Sequence, residues 1–181
     1  MTAKGRRAVL LDRDGTVIAD PGYLSDPEQV ELLPHAADAL AAFAHHGYLL
    51  IVVSNQSGVG RGLITPQQAR EVHDRFVAVL AQAGVALDAS YYCPHAPDAG
   101  CSCRKPQPGL LLDAARGHAI DLQHSIMIGN SATDIDAGRA VGAFTILVRS
   151  DENAEPQAAD AVAGGWEEIR GIVLGQTLDH A

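Results

Sequence analysis

The chain has 181 residues, 47% of them hydrophobic, and a formal net charge of −9 at pH 7. This length fits a single domain over residues 1–181 with a core of its own, and no apolar segment approaches the ~20 residues that cross a bilayer. The acidic balance argues against nucleic acid as a partner, and a phosphorylated ligand would require locally concentrated positive charge.

The start of the chain and its cysteines bear on cellular location. Residues 1–7 are basic but run directly into an apolar strand, which is not how a secretory signal is built. Three cysteines fall within eleven residues, and an odd count in a cytoplasmic chain favours a metal over a disulfide framework. We therefore expect a cytoplasmic protein that makes no membrane contact. We also expect a monomer.

An acidic pair follows the first predicted strand. The apolar run Ala8–Leu11 predicts a short buried strand, and Gly15 marks its exit into a turn. Asp12 and Asp14 then lie where ligands of open α/β sheets bind. One carboxylate can attack phosphorus and the other can handle a proton, while a divalent cation offsets their repulsion. Most Asp-x-Asp sequences are solvated turns, but the strand before this one and Gly-Thr after it favour a site.

Helices and strands alternate along the rest of the chain. The sequence predicts helices over 35–46, 66–82, 108–117, 133–141 and 166–174, and strands over 49–54, 89–92, 125–129 and 144–148. The segments 18–33 and 57–62 are rich in Pro or Gly and predict loops. This alternation is typical of βαβ units and a doubly wound parallel sheet, so polar motifs that follow three different strands should meet at one edge.

Polar groups follow the second strand. Ser54, Asn55 and Gln56 open a Gly-rich loop. A hydroxyl and nearby backbone N–H groups there can bind phosphoryl oxygens without adding charge. An ordinary Ser/Asn turn is the alternative, and the strand before it favours a binding role.

Arg104 and Lys105 supply the local positive charge that a phosphorylated ligand requires. Lys105 would neutralise a phosphoryl group and the Asp12 carboxylate, and Arg104 could hold a second anionic or hydroxylated part of the substrate. A basic pair in a loop is usually only solvated, but this pair adjoins the cysteine loop directly.

The cysteine loop has the spacing of a metal site. Cys93, His95, Cys101 and Cys103 form C-x-H-x₅-C-x-C, which suits a closed tetrahedral Zn²⁺ site of the structural kind. The alternative is three buried or free cysteines beside an unrelated histidine. Because Cys103 directly precedes Arg104, bound zinc would also fix the direction of the Arg104 side chain.

Taken together, these motifs resemble those of the haloacid dehalogenase (HAD) superfamily of phosphotransferases. The resemblance implies a Rossmann-like HAD fold with a zinc-binding loop and no large cap domain. It implies Asp12 as a nucleophile that forms an aspartyl-phosphate, and Asp14 as the acid and then the base. It also implies site residues beyond this pair: Asp12, Asp14 and Asn130 around Mg²⁺, Asp134 supporting them from outside the ligand shell, and Ser54, Asn55, Gln56, Arg104 and Lys105 holding the substrate.

The fourth motif departs from the superfamily pattern Gly-Asp-x-x-x-Asp. Here it is Gly129-Asn130-Ser131-Ala132-Thr133-Asp134, with an amide in place of the first acid. An amide oxygen can bind Mg²⁺ but adds no charge, and the affinity of such sites depends on the charge of the ligands. Three interpretations stay open: a natural variant that binds metal more weakly, an engineered substitution, or a protein that has lost catalysis.

Within the superfamily, the loops resemble the D-glycero-D-manno-heptose-1,7-bisphosphate 7-phosphatases. This resemblance implies Mg-dependent removal of the C7 phosphate from a small phosphorylated sugar, with an anionic group for Arg61 and Arg104 to bind. Histidinol-phosphate phosphatases share the aspartate motif and the zinc loop, and the short gap between His95 and Cys101 resembles theirs as much. A third interpretation, suggested by Asn130, is a phosphosugar-binding protein with impaired catalysis.

Overall fold

The computed structural model of the chain describes residues 5–149 and 159–178. The strands are β1 (Ala8–Leu11), β2 (Leu49–Asn55), β3 (Ala89–Cys93), β4 (Ile126–Gly129), β5 (Phe144–Val148) and β6 (Ala161–Ala163). The helices are α1 (Ala36–His45), α2 (Ser57–Gly60), α3 (Pro66–Gln82), α4 (Gly109–His118), α5 (Ala132–Ala140) and α6 (Trp166–Leu178). Short 3₁₀ turns cover Pro27–Gln29 and Leu122–His124.

The six strands form one parallel sheet in the order β3-β2-β1-β4-β5-β6. Chain order reverses between β1 and β4, which is where open α/β sheets bind their ligands. Leu11, the last residue of β1, pairs with Val52 on one side and Ile128 on the other. The predicted doubly wound parallel sheet is therefore confirmed, and the exits of β1, β2 and β4 lie side by side.

Helices cover both faces of the sheet. Val9 and Leu11 point to the face that packs against α1, α3 and α6. Ala8 and Leu10 point to the opposite face, which packs against α4 and α5. Burial on both faces explains why β1, β2 and β4 are almost continuously apolar rather than alternating.

Element boundaries differ little from the prediction, with two exceptions. The strand Ala161–Ala163 was not predicted, so 144–148 is not the last strand of the sheet. The segment 57–62, predicted as a loop, begins with the one-turn helix Ser57–Gly60. Within the described ranges, no inserted domain separates the strands, so a large cap is absent there.

The last helix is tied to the loop that follows β1. Trp166 at the start of α6 is buried, and its indole N–H donates to the carbonyl oxygen of Thr16 at 2.8 Å. Elements from opposite ends of the sequence therefore meet beside the acidic pair. Among the described residues, no helix combines the length and apolar character of a membrane span.

Candidate active site

Lys105 is buried between two carboxylates at the carboxyl edge of the sheet. Its Nζ donates to Asp12 Oδ1 at 2.8 Å and to the Val53 carbonyl at 2.6 Å, and lies 2.6 Å from Asp134 Oδ1. Burial opposes the ammonium charge, but the two carboxylates outweigh it and hold the pKa of Lys105 above its ordinary value. A fixed positive charge therefore stands beside Asp12.

Asp12 continues the sheet by one residue and is 8% exposed. Its backbone N–H donates to the Ile128 carbonyl at 2.9 Å, which holds it between β1 and β4. Oδ1 accepts from Lys105, while within the described parts of the chain Oδ2 receives only a long 3.4 Å contact from the Thr16 hydroxyl. Burial raises the pKa of Asp12 to about 6, against the lowering effect of Lys105. One carboxylate oxygen is thus left without a strong partner, as a nucleophile or a cation ligand requires.

Asp14 is held by two side-chain donors from different elements. Arg13 donates through Nε to Oδ1 at 3.1 Å and through Nη2 to Oδ2 at 3.0 Å. Gln56, after β2, donates to Oδ2 at 2.6 Å and also to the Ser54 hydroxyl at 3.1 Å. The side chain keeps one-fifth of its surface exposed and lines a cavity of about 230 Å³. The Asp14 carboxyl is therefore fixed in direction yet open to a ligand.

The motif after β4 reaches the turn that follows Asp14. Gly15 has φ +73°, and a Cβ built on it would lie 2.1 Å from Asn130 Nδ2, so the Asn130 amide rests against this turn. Asp134 is 2% exposed, and its Oδ2 accepts from the Ser131 hydroxyl at 2.7 Å while Oδ1 faces Lys105. Asp134 thus caps α5 and orients Lys105 at the same time.

Asn55 holds the backbone of Lys105. Its Oδ1 accepts from the Lys105 N–H and its Nδ2 donates to the Lys105 carbonyl, both at 3.0 Å. Ser54 is 1% exposed and contacts the site through Gln56. The substrate-binding roles of these three residues stay predictions, but the structure gives Asn55 and Gln56 a supporting role that sequence reasoning did not assign.

The two predicted substrate arginines have different surroundings. Arg104 lines a cavity of about 490 Å³ with Lys105 and Gln107, and its buried Nη1 has no hydrogen-bond partner among the described residues. Arg61 is exposed, donates to the Tyr23 hydroxyl and stacks over that ring with Cζ 5.6 Å from its centroid. Tyr23 lines the cavity that contains Asp14. Arg61 therefore contacts the rim of that cavity rather than the acidic pair.

The four predicted zinc ligands converge. One ligand atom from each of Cys93, His95, Cys101 and Cys103 lies within 4.8 Å of the others. The Sγ atoms of Cys93 and Cys103 are 3.1 Å apart, and His95 Nδ1 lies 3.2 Å from Cys103 Sγ. A tetrahedral Zn²⁺ with ~2.3 Å bonds to sulfur separates its ligands by roughly 3.7 Å, so the cluster fits this ion after small outward shifts.

Short contacts connect the cysteine cluster to Arg104, and the loop that carries the cluster to α2. The backbone N–H of Arg104 donates to the Cys101 thiol, and this bond with those of the neighbouring thiols, against the effect of burial, lowers the pKa of Cys101 to about 7. A Cβ on Gly60 would lie 2.4 Å from the backbone nitrogen of Ala96, so α2 packs directly against this loop. The position of Arg104 thus depends on the geometry of the cluster.

Sequence reasoning missed Arg13. This residue is 2% exposed and is the bidentate partner of Asp14. The only sequence signal was an arginine inside an apolar-flanked Asp-x-Asp, where a solvated side chain is the ordinary expectation.

This fold and site define the chain as a phosphoric monoester hydrolase of the HAD superfamily: the first strand of a parallel sheet leads into Asp12 and Asp14, and the buried Lys105 pairs with Asp12. A family model described as HAD-hydrolase-like matches residues 102–167. The D-glycero-β-D-manno-heptose-1,7-bisphosphate 7-phosphatase of Photorhabdus laumondii is 39% identical over 166 residues, covering 87% of this chain and 88% of that protein. The chain belongs to the family of heptose bisphosphate phosphatases.

Two further relatives agree with this assignment. The enzyme of the same name from Escherichia coli strain K12 is 38% identical over 167 residues, 88% of this chain and 87% of its own length. The crystal structure of D,D-heptose 1,7-bisphosphate phosphatase from B. bronchiseptica, complexed with magnesium and phosphate, has a TM-score of 0.82 at 30% identity. It covers 94% of this chain and 99% of that one.

Proposed function

We propose that the chain removes the C7 phosphate of D-glycero-β-D-manno-heptose 1,7-bisphosphate in a Mg²⁺-dependent reaction. The names of its relatives support this substrate and anomer over histidinol phosphate. The observation that carries the chemistry is the unequal pairing of Asp12 among the described residues: Lys105 donates to Oδ1, and Oδ2 has only a long contact with the Thr16 hydroxyl.

Asp12 acts as the nucleophile in this reaction. Its Oδ2 bonds to phosphorus as the bond from phosphorus to the sugar oxygen breaks, and Asp14 gives its proton to that leaving oxygen. The carboxylate form of Asp14 then takes a proton from water as the water oxygen attacks the phosphorus of the aspartyl-phosphate. Inorganic phosphate leaves and both aspartates return to their starting states. Lys105 neutralises charge on the transferring group throughout.

The donors around Asp12 fit a magnesium ion. When Asp14 is ionised, three carboxylates, on Asp12, Asp14 and Asp134, face two cationic side chains, Lys105 and Arg13, so an added cation improves the balance. Asp12, Asp14 and Asn130 would hold the ion, and Asp134 would act through Lys105. When bound, Mg²⁺ offsets the charge of the phosphoryl oxygens.

We also propose that the cysteine cluster holds one structural Zn²⁺. All four ligand positions are protein groups, so this ion would leave no site for water or substrate. Metal analysis of the purified protein should find about one zinc per chain. A fully folded protein without zinc would contradict this proposal.

The substrate assignment is tested with a panel of phosphate esters. We expect kcat/KM for the heptose 1,7-bisphosphate to exceed that for histidinol phosphate, because Arg104 lines a cavity beside Lys105 that can take a second anionic group. Faster hydrolysis of histidinol phosphate would overturn the substrate. Replacement Asp12→Asn should abolish turnover of both esters.

The role of Asn130 is tested in the same assay. Asn130→Asp adds a negative ligand, so we expect half-saturation at a Mg²⁺ concentration about tenfold lower. Absence of turnover in both the wild type and this variant, with heptose bisphosphate still binding, would instead indicate a phosphosugar-binding protein.

Three further expectations remain predictions from the sequence: a single domain over residues 1–181, a monomer, and a location in the cytoplasm. Sedimentation equilibrium and cell fractionation would check the last two.

A further inference from the structure

Arg13 is a buried side chain at the site to which the proposed reaction gives no task. It follows β1, is 2% exposed, and its two parallel hydrogen bonds span both oxygens of the Asp14 carboxylate. Such a bidentate pair fixes the plane of the carboxyl group as well as its distance, which a point charge cannot do.

Arg13 is itself supported from behind by an aromatic side chain. Its Cζ lies 5.6 Å from the centroid of the Tyr92 ring in β3, within the range of a cation–π contact. Tyr92 shares a 2.8 Å hydrogen bond with Nδ1 of His73 on α3, and the two rings meet edge to face at 5.1 Å. The chain of contacts therefore runs from α3 through β3 and Arg13 to Asp14.

The neutral state of His73 suits its hydrogen bond with Tyr92. Burial, reinforced by Arg13, lowers the pKa of His73, so its ring is neutral at pH 7 and can accept from the Tyr92 hydroxyl. An apolar cavity of about 180 Å³ borders Arg13, Tyr92 and His73, and the low polarity there strengthens the contacts.

We propose that Arg13, held in place by Tyr92 and His73, is a positioning residue that aims the Asp14 carboxyl at the leaving oxygen of the substrate. The proposal rests on the proposed function, in which Asp14 protonates that oxygen. Gln56 restrains only Oδ2 of Asp14, so Arg13 alone fixes the plane of the group.

Leaving-group dependence separates positioning from a merely structural role. An alkoxide leaving from a sugar phosphate needs the proton of Asp14, whereas 4-nitrophenolate leaves without one. The ratio kcat/KM covers only the steps up to formation of the aspartyl-phosphate, so it isolates this first proton transfer. We expect Arg13→Gln to lower kcat/KM about 100-fold for the heptose bisphosphate and less than fivefold for 4-nitrophenyl phosphate.

The aryl ester adds a second readout. For 4-nitrophenyl phosphate, kcat should fall more than kcat/KM, because hydrolysis of the aspartyl-phosphate needs Asp14 as a base. Arg13→Lys keeps the charge without the fork, so it should lie between the wild type and Arg13→Gln. Tyr92→Leu should also lower kcat/KM more for the heptose bisphosphate than for 4-nitrophenyl phosphate, but by a smaller factor than Arg13→Gln.

The control is Arg7→Gln. Arg7 precedes the same strand at its other end and also stacks over a tyrosine, with Cζ 4.7 Å from the centroid of Tyr48. It should leave the ratio between the esters unchanged. If Arg13→Gln does not fold, as judged by thermal unfolding and zinc content, Arg13→Lys and Tyr92→Leu carry the test.

The outcomes separate the two proposals. An equal loss for both esters in the folded variants would overturn the positioning role while leaving the phosphatase assignment intact. A wild-type protein that hydrolyses neither ester would overturn the proposed function instead.

Discussion

Lys105 is the residue on which the charge balance of the site depends. Its ammonium contacts the carboxylates of Asp12 and Asp134 within 2.8 Å, and its side chain is 1% exposed. Removing one partner of a buried ionic group leaves the others uncompensated, which costs more than the pair itself contributes.

We expect Lys105→Met to abolish turnover and to lower the free energy of unfolding of the magnesium-free protein by about 3–5 kcal/mol. Urea unfolding checks the stability. The double variant Lys105→Met with Asp134→Asn removes one of the orphaned carboxylates and should recover part of the loss. Additive effects in this cycle would contradict the coupling.

Asp12 gives the magnesium-free protein a distinctive pH dependence. Burial raises the pKa of Asp12 from 3.8 to about 6 in the folded state. The folded protein therefore binds this proton more tightly than the unfolded chain does. The stabilisation is complete below pH ~4 and is lost as pH rises through about 6, with a total of ~3 kcal/mol.

Thermal unfolding between pH 4 and pH 8 measures this contribution. In EDTA, we expect the Tm of the wild type to fall relative to the Tm of Asp12→Asn as the pH rises. Added Mg²⁺ should reverse the trend, because the cation favours the carboxylate. A difference that is flat across this range would contradict the raised pKa.

Asp12 and Asp14 were predicted because they follow a strand, the cysteine loop because of its ligand spacing, and Lys105 because it adds positive charge beside that loop. Arg13 could not be identified this way, since nothing in Asp-x-Asp specifies whether the middle side chain is solvated or buried. The two hydrogen bonds between Asn55 and the backbone of Lys105 could not be predicted from the sequence either, because they join residues fifty positions apart.

At the scale of elements, the backbone of the cysteine loop lies in close contact with α2 and with the start of α4. A Cβ on Gly60 of α2 would lie 2.4 Å from the Ala96 nitrogen and 2.6 Å from the Pro94 carbonyl. A Cβ on Gly109, at the start of α4, would lie 2.3 Å from the Ser102 carbonyl. The loop that carries Arg104 therefore has little room to move against its neighbours.

We expect Gly60→Ala to lower the free energy of unfolding by about 1–3 kcal/mol, because backbone atoms rather than a flexible side chain must shift. Displacement of the loop should also raise KM. Gly171→Ala in α6 is the matched control: its Cβ meets open space, and alanine should be neutral or slightly stabilising there. Equal effects of the two substitutions would contradict the packing argument.

Elements with a strong periodic or apolar signal were predicted to within a few residues, as α3 and β5 show. The strand Ala161–Ala163 was missed because three small residues carry too little pattern to distinguish an edge strand from a turn. The segment forms a strand because it pairs with β5, and this pairing is a tertiary contact that local sequence does not reveal.

At the scale of the molecule, the last helix of the described chain contacts the loop that follows the first strand. Trp166 packs in the core beside α1 and β1, and its indole hydrogen bond closes onto Thr16, two residues after Asp14. The C-terminal helix thereby supports the turn on which the acidic pair depends.

Trp166→Phe keeps an aromatic ring but leaves the Thr16 carbonyl without this donor. We expect a loss of about 1–3 kcal/mol in the free energy of unfolding. This corresponds to a fall in Tm of roughly 2–4 °C for each kcal/mol in a domain of this size. Leu63→Ala, at an exposed residue, serves as the control. An unchanged Tm in Trp166→Phe would show that the hydrogen bond is not needed.

The chain contains one tryptophan, and its indole N–H is hydrogen-bonded to the backbone of the turn that follows Asp14. The protein therefore carries a built-in optical probe. Its ultraviolet emission has a single source, so a spectral change on adding magnesium or inorganic phosphate would report the state of that turn directly. Occupancy could then be titrated in unlabelled protein, without turnover.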